Sequence, residues 1–99
     1  MRYTFEWDPI KAAKNFRKHR ISFDRAAEIF LDRFAISVYD QEHSEAEHRW
    51  VTIGKDIQER TLVLVHTFSA VSTEECTIRI ISARKADKRE SRQYEEAEP

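Results

Sequence analysis

The chain has 99 residues, 40% of them hydrophobic and 35% charged, and a net charge of −1. That length supports one domain, residues 1–99, with a single modest core. The lone glycine, Gly54, excludes Gly-rich phosphate loops, and the lone cysteine, Cys76, excludes an internal disulfide and any Cys-based zinc finger.

No apolar stretch approaches the ~20 residues that span a bilayer, and the start lacks the charged and apolar regions of a secretory signal. A single thiol suits a reducing compartment. The expectation is a soluble cytoplasmic protein with no membrane contact. The small net charge hides an uneven distribution. Lys11, Lys14, Arg17, Lys18 and Arg20 form one basic segment, and Arg79, Arg84, Lys85, Lys88, Arg89 and Arg92 form another. Acids gather between Asp40 and Glu47 and in the tail at Glu95, Glu96 and Glu98. If the two basic segments meet in space, they make a positive patch.

In chain order, Tyr3 to Trp7 is an aromatic lead-in, read as either a strand or an extended arm. Asp8-Pro9 starts a helix, with Asp as N-cap and Pro at the first helical position. The helix runs to about Lys18, with Ile10, Ala13 and Phe16 on its apolar stripe and Lys11, Lys14 and Lys18 on another. His19-Arg20 turns the chain. Ser22 caps a second helix, with Ile21 positioned as a hydrophobic staple against Ala26 and Asp32-Arg33 at its end. Strands follow at Phe34–Tyr39, Arg49–Ile53, Arg60–Phe68 and Thr77–Ala83. An acidic connection (Asp40–His48), a turn at Gly54-Lys55-Asp56 and a loop at Ser69–Glu75 separate them. Short connections between successive strands imply an antiparallel meander. Asp87 to Glu96 reads as a polar closing helix, almost without an apolar face apart from Tyr94 and Ala97, held by a partner or by charge pairs. The expected fold is α+β: two N-terminal helices packed on a four-stranded antiparallel sheet, a short polar C-terminal helix, and one sheet face open.

Three segments of this sequence, in register, resemble the BrnT toxin family. The first is Phe5-Glu6-Trp7-Asp8-Pro9-Ile10-Lys11-Ala12 with Asn15, Lys18-His19 and Ser22-Phe23-Asp24-Arg25-Ala26. The second is Glu47-His48-Arg49-Trp50-Val51-Thr52-Ile53-Gly54. The third is Arg79-Ile80-Ile81-Ser82-Ala83-Arg84-Lys85-Ala86 with Glu90, Arg92 and Tyr94. Arg20 departs from the pattern, because the family usually has glycine after Lys-His. The resemblance implies a RelE-like fold and the toxin of a type II toxin–antitoxin system. It further implies a ribonuclease that arrests growth, capped by a DNA-binding antitoxin resembling BrnA, with operator DNA reached only through that complex.

Metal-independent RNA cleavage needs a base near the ribose 2′-OH, cations around the phosphate, and an acid for the leaving 5′-oxygen. Arginine stays charged and therefore holds phosphate, while His, Lys, Asp and Glu move protons. Arg49, Arg79 and Arg84 are the arginine candidates, with Arg79 and Arg84, on a strand end, favoured for phosphate contact; the competing reading pairs these two with acids across the sheet. Arg49 reads as a local ion pair with Glu45 or Glu47. His19, beside Lys18 and Arg20, is the candidate base, with Lys18 next to it; the competing reading is a histidine bonding the helix's last carbonyls. Lys11, Lys14, Lys85 and Arg89 are candidate RNA contacts, and Tyr94 a candidate for stacking or proton transfer. His66 reads as a satisfied core or edge residue, His43 and His48 as mainly solvent-facing, and Trp7 and Trp50 as core. No metal or other cofactor is expected. The alternative function is a non-catalytic module that binds nucleic acid or protein.

Overall fold

A computed structural model describes residues 1–43 and 47–97; Glu45 and Glu98 lie outside these described residues. The elements are β1 (Arg2–Glu6), α1 (Pro9–His19), α2 (Phe23–Ala26), a 3₁₀ turn (Ala27–Leu31), β2 (Ile36–Tyr39), β3 (Trp50–Lys55), β4 (Thr61–His66), β5 (Ser69–Ala70), β6 (Glu75–Lys85) and α3 (Lys88–Glu96). The sheet order is β1-β6-β4-β3-β2, with the two-residue β5 pairing β6.

This corrects the expected four-stranded antiparallel sheet. Strands β2, β3, β4 and β6 do form an antiparallel run. The aromatic lead-in joins it as β1, parallel to β6, and makes the sheet mixed. The second helix is also shorter than expected: one α turn that tightens into 3₁₀. The turn between β3 and β4 spans Asp56 to Arg60, beyond Gly54. There the Asp56 carboxylate accepts from the Arg60 backbone N–H (2.9 Å) and Nε (2.7 Å). Gly54 instead lies inside β3, where a Cβ would meet the Cβ atoms of Ile29 and Ala35 at 3.1 Å.

Helix starts follow their caps. The Asp8 side chain accepts from the Ile10 N–H at 2.8 Å, and Ser22 from the Arg25 N–H at 3.3 Å. Asp87 and Glu90 form a reciprocal capping box at the start of α3. The end of α1 is less usual. Arg20 takes the left-handed conformation (φ 60°) that glycine adopts without strain, while its N–H bonds the Phe16 carbonyl at 2.8 Å. Its guanidinium lies 5.7 Å from the centre of the Phe16 ring, a contact that offsets part of the strain. Arg20→Gly is expected to raise stability by roughly 0.5–1 kcal/mol, read as a higher urea midpoint at unchanged slope. A lower midpoint would mean that the Phe16 contact outweighs the backbone strain.

Alternation along the strands gives the sheet two faces. The first carries Leu62, Leu64, Cys76, Ile78, Ile80 and Ala83, packed under Ile21, Phe23, Ala26 and Ile29. Asn15, buried in α1, explains how that helix is held. Its amide donates to the carbonyls of Ala83 (2.8 Å) and Ile21 (3.2 Å) and accepts from the Ala83 N–H (3.1 Å). The pairing of β1 with β6 stops at Arg79, and the Asn15 amide takes the place of a strand at Ala83.

The second face carries Ile53 and Val63, and here the closing helix corrects the expectation. Tyr94 of α3 is buried against these two residues, with Phe34, Ile36, Val51 and Ala86 around them. Its hydroxyl donates to the Asp32 carboxylate at 2.5 Å, which also accepts from the backbone N–H groups of Lys55 (2.9 Å) and Phe34 (3.0 Å). The face expected to be open is thus half covered.

Candidate functional site

Arg79 and Arg84 are five positions apart, which in a regular strand puts them on opposite faces. The register breaks between them: His66 pairs with Ile80 but Val65 pairs with Ser82, leaving Ile81 as an extra residue. This bulge shifts the alternation and brings both arginines to the second face.

Arg79 stands in a row with Asp40, Arg49 and Thr67, one residue beyond the paired Tyr39, Trp50 and His66. The Asp40 N–H bonds the Arg49 carbonyl (2.8 Å), and the Thr67 N–H bonds the Arg79 carbonyl (3.0 Å). Glu47 reaches into this row. One of its carboxylate oxygens accepts from Nε and Nη2 of Arg49, both at 3.3 Å; the other accepts from Nη2 of Arg79. One carboxylate therefore lies between two guanidiniums. A phosphodiester offers the same pair of anionic oxygens, and both arginines are only partly buried.

Beside the row, His43 Nδ1 lies 3.0 and 3.2 Å from the two Asp40 carboxylate oxygens. His48 lies apart: its Nδ1 meets the Tyr39 hydroxyl at 2.6 Å. Tyr39 pairs with Trp50 on the first face, and their rings meet edge-on at 5.3 Å.

The other predicted site residues separate from Arg79. With Ile81 bulged, the rows of Arg79 and Arg84 lie four residues apart, at Thr67 just beyond β4 and at Val63 within it, which places Arg84 about 13 Å away. Its fork is engaged by Glu90 at 2.7 and 2.8 Å, so it fastens α3 to β6. That bond raises the guanidinium pKa above its ordinary value, and the same bond holds Glu90 below the usual carboxylate range. Lys18 and His19 sit in the last turn of α1, where positive charge suits the helix dipole. The Asn15–Ala83 bonds set α1 beside the strand residue that precedes Arg84 and Lys85. Lys11, Lys14, Lys18 and Lys85 are all exposed, and the two basic segments approach each other at this edge. Arg89 is exposed on α3. Tyr94 was expected on an open helix; its buried ring and engaged hydroxyl leave no surface for stacking a base.

His66 is the satisfied core residue that its alternation suggested. A carbonyl can only accept, so Nδ1–H donates to the Thr67 carbonyl (2.9 Å). Nε2 is then the acceptor, and the Thr52 hydroxyl donates to it (2.7 Å), itself accepting from Ser37 (2.7 Å). Burial pushes the His66 pKa down. Trp50, expected in the core, is only half buried and borders a small apolar cavity with Ser37, His66 and Phe68. Two features escaped the sequence reading: the Asp40–His43 pair and the placement of Glu47 between Arg49 and Arg79. The three-residue spacing of Asp40 and His43 was the one available signal, and it sat inside a loop that read as solvated.

Fold and site together define an α+β protein with a mixed sheet whose half-open face gathers arginines around an anion-sized position. A family model described as the ribonuclease toxin, BrnT, of type II toxin–antitoxin systems matches residues 7–90, and the chain belongs to that family. Among solved structures, the chain is similar to the 1.1 Å crystal structure of the Brucella abortus ribonuclease toxin, BrnT. The two share 24% identity at a TM-score of 0.57, over 89% of this chain and all (100%) of that one. No curated protein matches significantly. A type II toxin implies an antitoxin protein as partner. Among the described residues, no helix is long and apolar enough to cross a membrane.

Proposed function

We propose that this chain is a metal-independent endoribonuclease that inhibits translation and growth, and that its partner is an antitoxin resembling BrnA. The observation that supports this most is the Glu47 carboxylate held between Arg49 and Arg79 on a half-open sheet face. In the reaction the ribose 2′-oxygen attacks phosphorus, the bond from phosphorus to the 5′-oxygen breaks, and a 2′,3′-cyclic phosphate remains. The base takes the 2′-OH proton, and an acid returns one to the leaving oxygen. Arg79 and Arg49 hold the phosphate as charge builds on it, displacing Glu47. Lys11, Lys14 and Lys85 track the RNA backbone at the α1 edge, where Lys18 adds further charge and His19 stands beside it, and Arg89 contributes from α3. Operator DNA is reached only through the antitoxin complex.

The test is cleavage of RNA, free and on translating ribosomes, by the purified chain in EDTA. Fragments ending in 2′,3′-cyclic phosphate are expected. RNA left intact in both settings would replace the enzyme by a module that binds nucleic acid or protein without turnover.

A further inference from the structure

From the Asp40–His43 geometry we infer that His43 is the general base of this site and that Asp40 is its positioning residue. The inference rests on the ribonuclease reading and names a group that this reading leaves unassigned. An ionised carboxylate only accepts hydrogen bonds, so the 3.0 and 3.2 Å contacts to Asp40 require the imidazole proton on Nδ1. In the neutral ring Nε2 then carries the lone pair, which is the tautomer a base needs. The two side chains differ in exposure in the same sense. Asp40 is 19% exposed and anchored in the sheet row, while His43 is 63% exposed, so the ring is fixed at one end and accessible at the other.

Position agrees with this role. The Asp40 N–H bonds the Arg49 carbonyl, so the dyad is rooted one strand from Arg49, a spacing of about 4.8 Å. Arg79 lies two strands further along the row. A phosphate taking the place of Glu47 between Arg49 and Arg79 would bring the adjoining ribose towards the His43 side. The same ring borders a groove of about 340 Å³ that runs between β2, β3 and α3, past Val38, Val51, Ile53 and Gln93. The groove gives a nucleotide an approach over an apolar floor. Asp40 and Glu90 are the acids that line it, and Arg49 and Arg79 the cations in the neighbouring row. In the step itself, Nε2 takes the 2′-OH proton as the bond from the 2′-oxygen to phosphorus forms. The electron pair of the breaking bond leaves on the 5′-oxygen.

The test is single-turnover cleavage of an RNA oligonucleotide by wild type, His43→Ala and His48→Ala, each with and without added imidazole. His43→Ala is expected to lose on the order of 10²–10⁴ in rate and to regain at least roughly tenfold with imidazole. His48→Ala, whose ring belongs to the other face, is expected to stay close to wild type. In steady state, Asp40→Asn is expected to lower kcat roughly tenfold while KM for RNA holds, because a neutral amide no longer enforces the tautomer. Far-UV circular dichroism and a His43→Gln variant guard against loss through misfolding. If wild type cuts and folded His43→Ala cuts equally well, or stays inert in imidazole, His43 is not the base and the ribonuclease reading stands without it. If wild type is itself inert, the ribonuclease reading is the part that fails.

Discussion

Tyr94→Ala is expected to destabilise the fold by about 3–5 kcal/mol, the usual cost of deleting a buried aromatic ring. Total stability for such a domain is only ~5–15 kcal/mol, so this one change removes a large share of it. The ring is 1% exposed between Ile53 and Val63. The hydroxyl adds a 2.5 Å bond to Asp32, which joins the C-terminal helix to the end of the 3₁₀ turn, 62 residues earlier. Burial alone would raise the Asp32 pKa, but bonds from Tyr94 and from the Lys55 and Phe34 N–H groups, with the Lys55 charge, hold it below its ordinary value. A depressed folded-state pKa contributes stability that is complete above the unfolded-state value. That contribution disappears as pH falls through the folded one. Tyr94→Phe separates the two parts: it keeps the ring and is expected to cost roughly 1–2 kcal/mol at neutral pH, with a smaller difference from wild type in acid. Urea titrations at neutral and acid pH measure both variants. A Tyr94→Ala midpoint equal to wild type would show that α3 is not part of the cooperative fold.

What the sequence disclosed, and what it hid, divides by range along the chain. Capping is local chemistry, and Asp8-Pro9 and Ser22 marked their helix starts correctly. The long apolar run at β4 was equally plain. Register is not local. Nothing in Thr77–Ala83 signals that Ile81 is extra, yet that one residue decides whether Arg79 and Arg84 share a face. Asn15 looked like a poor helix former; its reason is a backbone partner 68 residues away at Ala83. Tyr94 looked idle on a polar helix because its partner, Asp32, lies 62 residues away. The aromatic lead-in was ambiguous for the same reason, since its parallel partner, β6, begins only at Glu75. For the candidate site, the residue types were legible and the grouping was not. Arg79 was a candidate from its place in a strand, but its company of Arg49, Glu47 and the Asp40–His43 pair depends on which strands become neighbours.

Arg79→Ala is expected to slow RNA cleavage by about 10²–10³ while leaving the fold intact, because its side chain is only partly buried and its partner Glu47 keeps a second arginine. The size follows from what the guanidinium is asked to do. Charge grows on the phosphate oxygens as the fifth bond to phosphorus forms, and a fixed donor aimed at that charge is worth more in the transition state than in the bound substrate. The loss should therefore fall mainly on kcat, with a smaller change in KM. Arg79→Lys keeps the charge and loses the fork, so an intermediate rate is expected if two-point contact matters. Arg84→Ala makes the informative contrast. Its fork already holds Glu90 and fastens α3, so stability is expected to fall, with cleavage per folded molecule changed far less than in Arg79→Ala. Single-turnover rates with denaturation midpoints distinguish the two arginines. A folded Arg79→Ala that cuts at the wild-type rate would remove the Arg49–Arg79 position as the phosphate site. The α1 edge, with Lys18, His19 and Lys85, would then be the place to look for the chemistry.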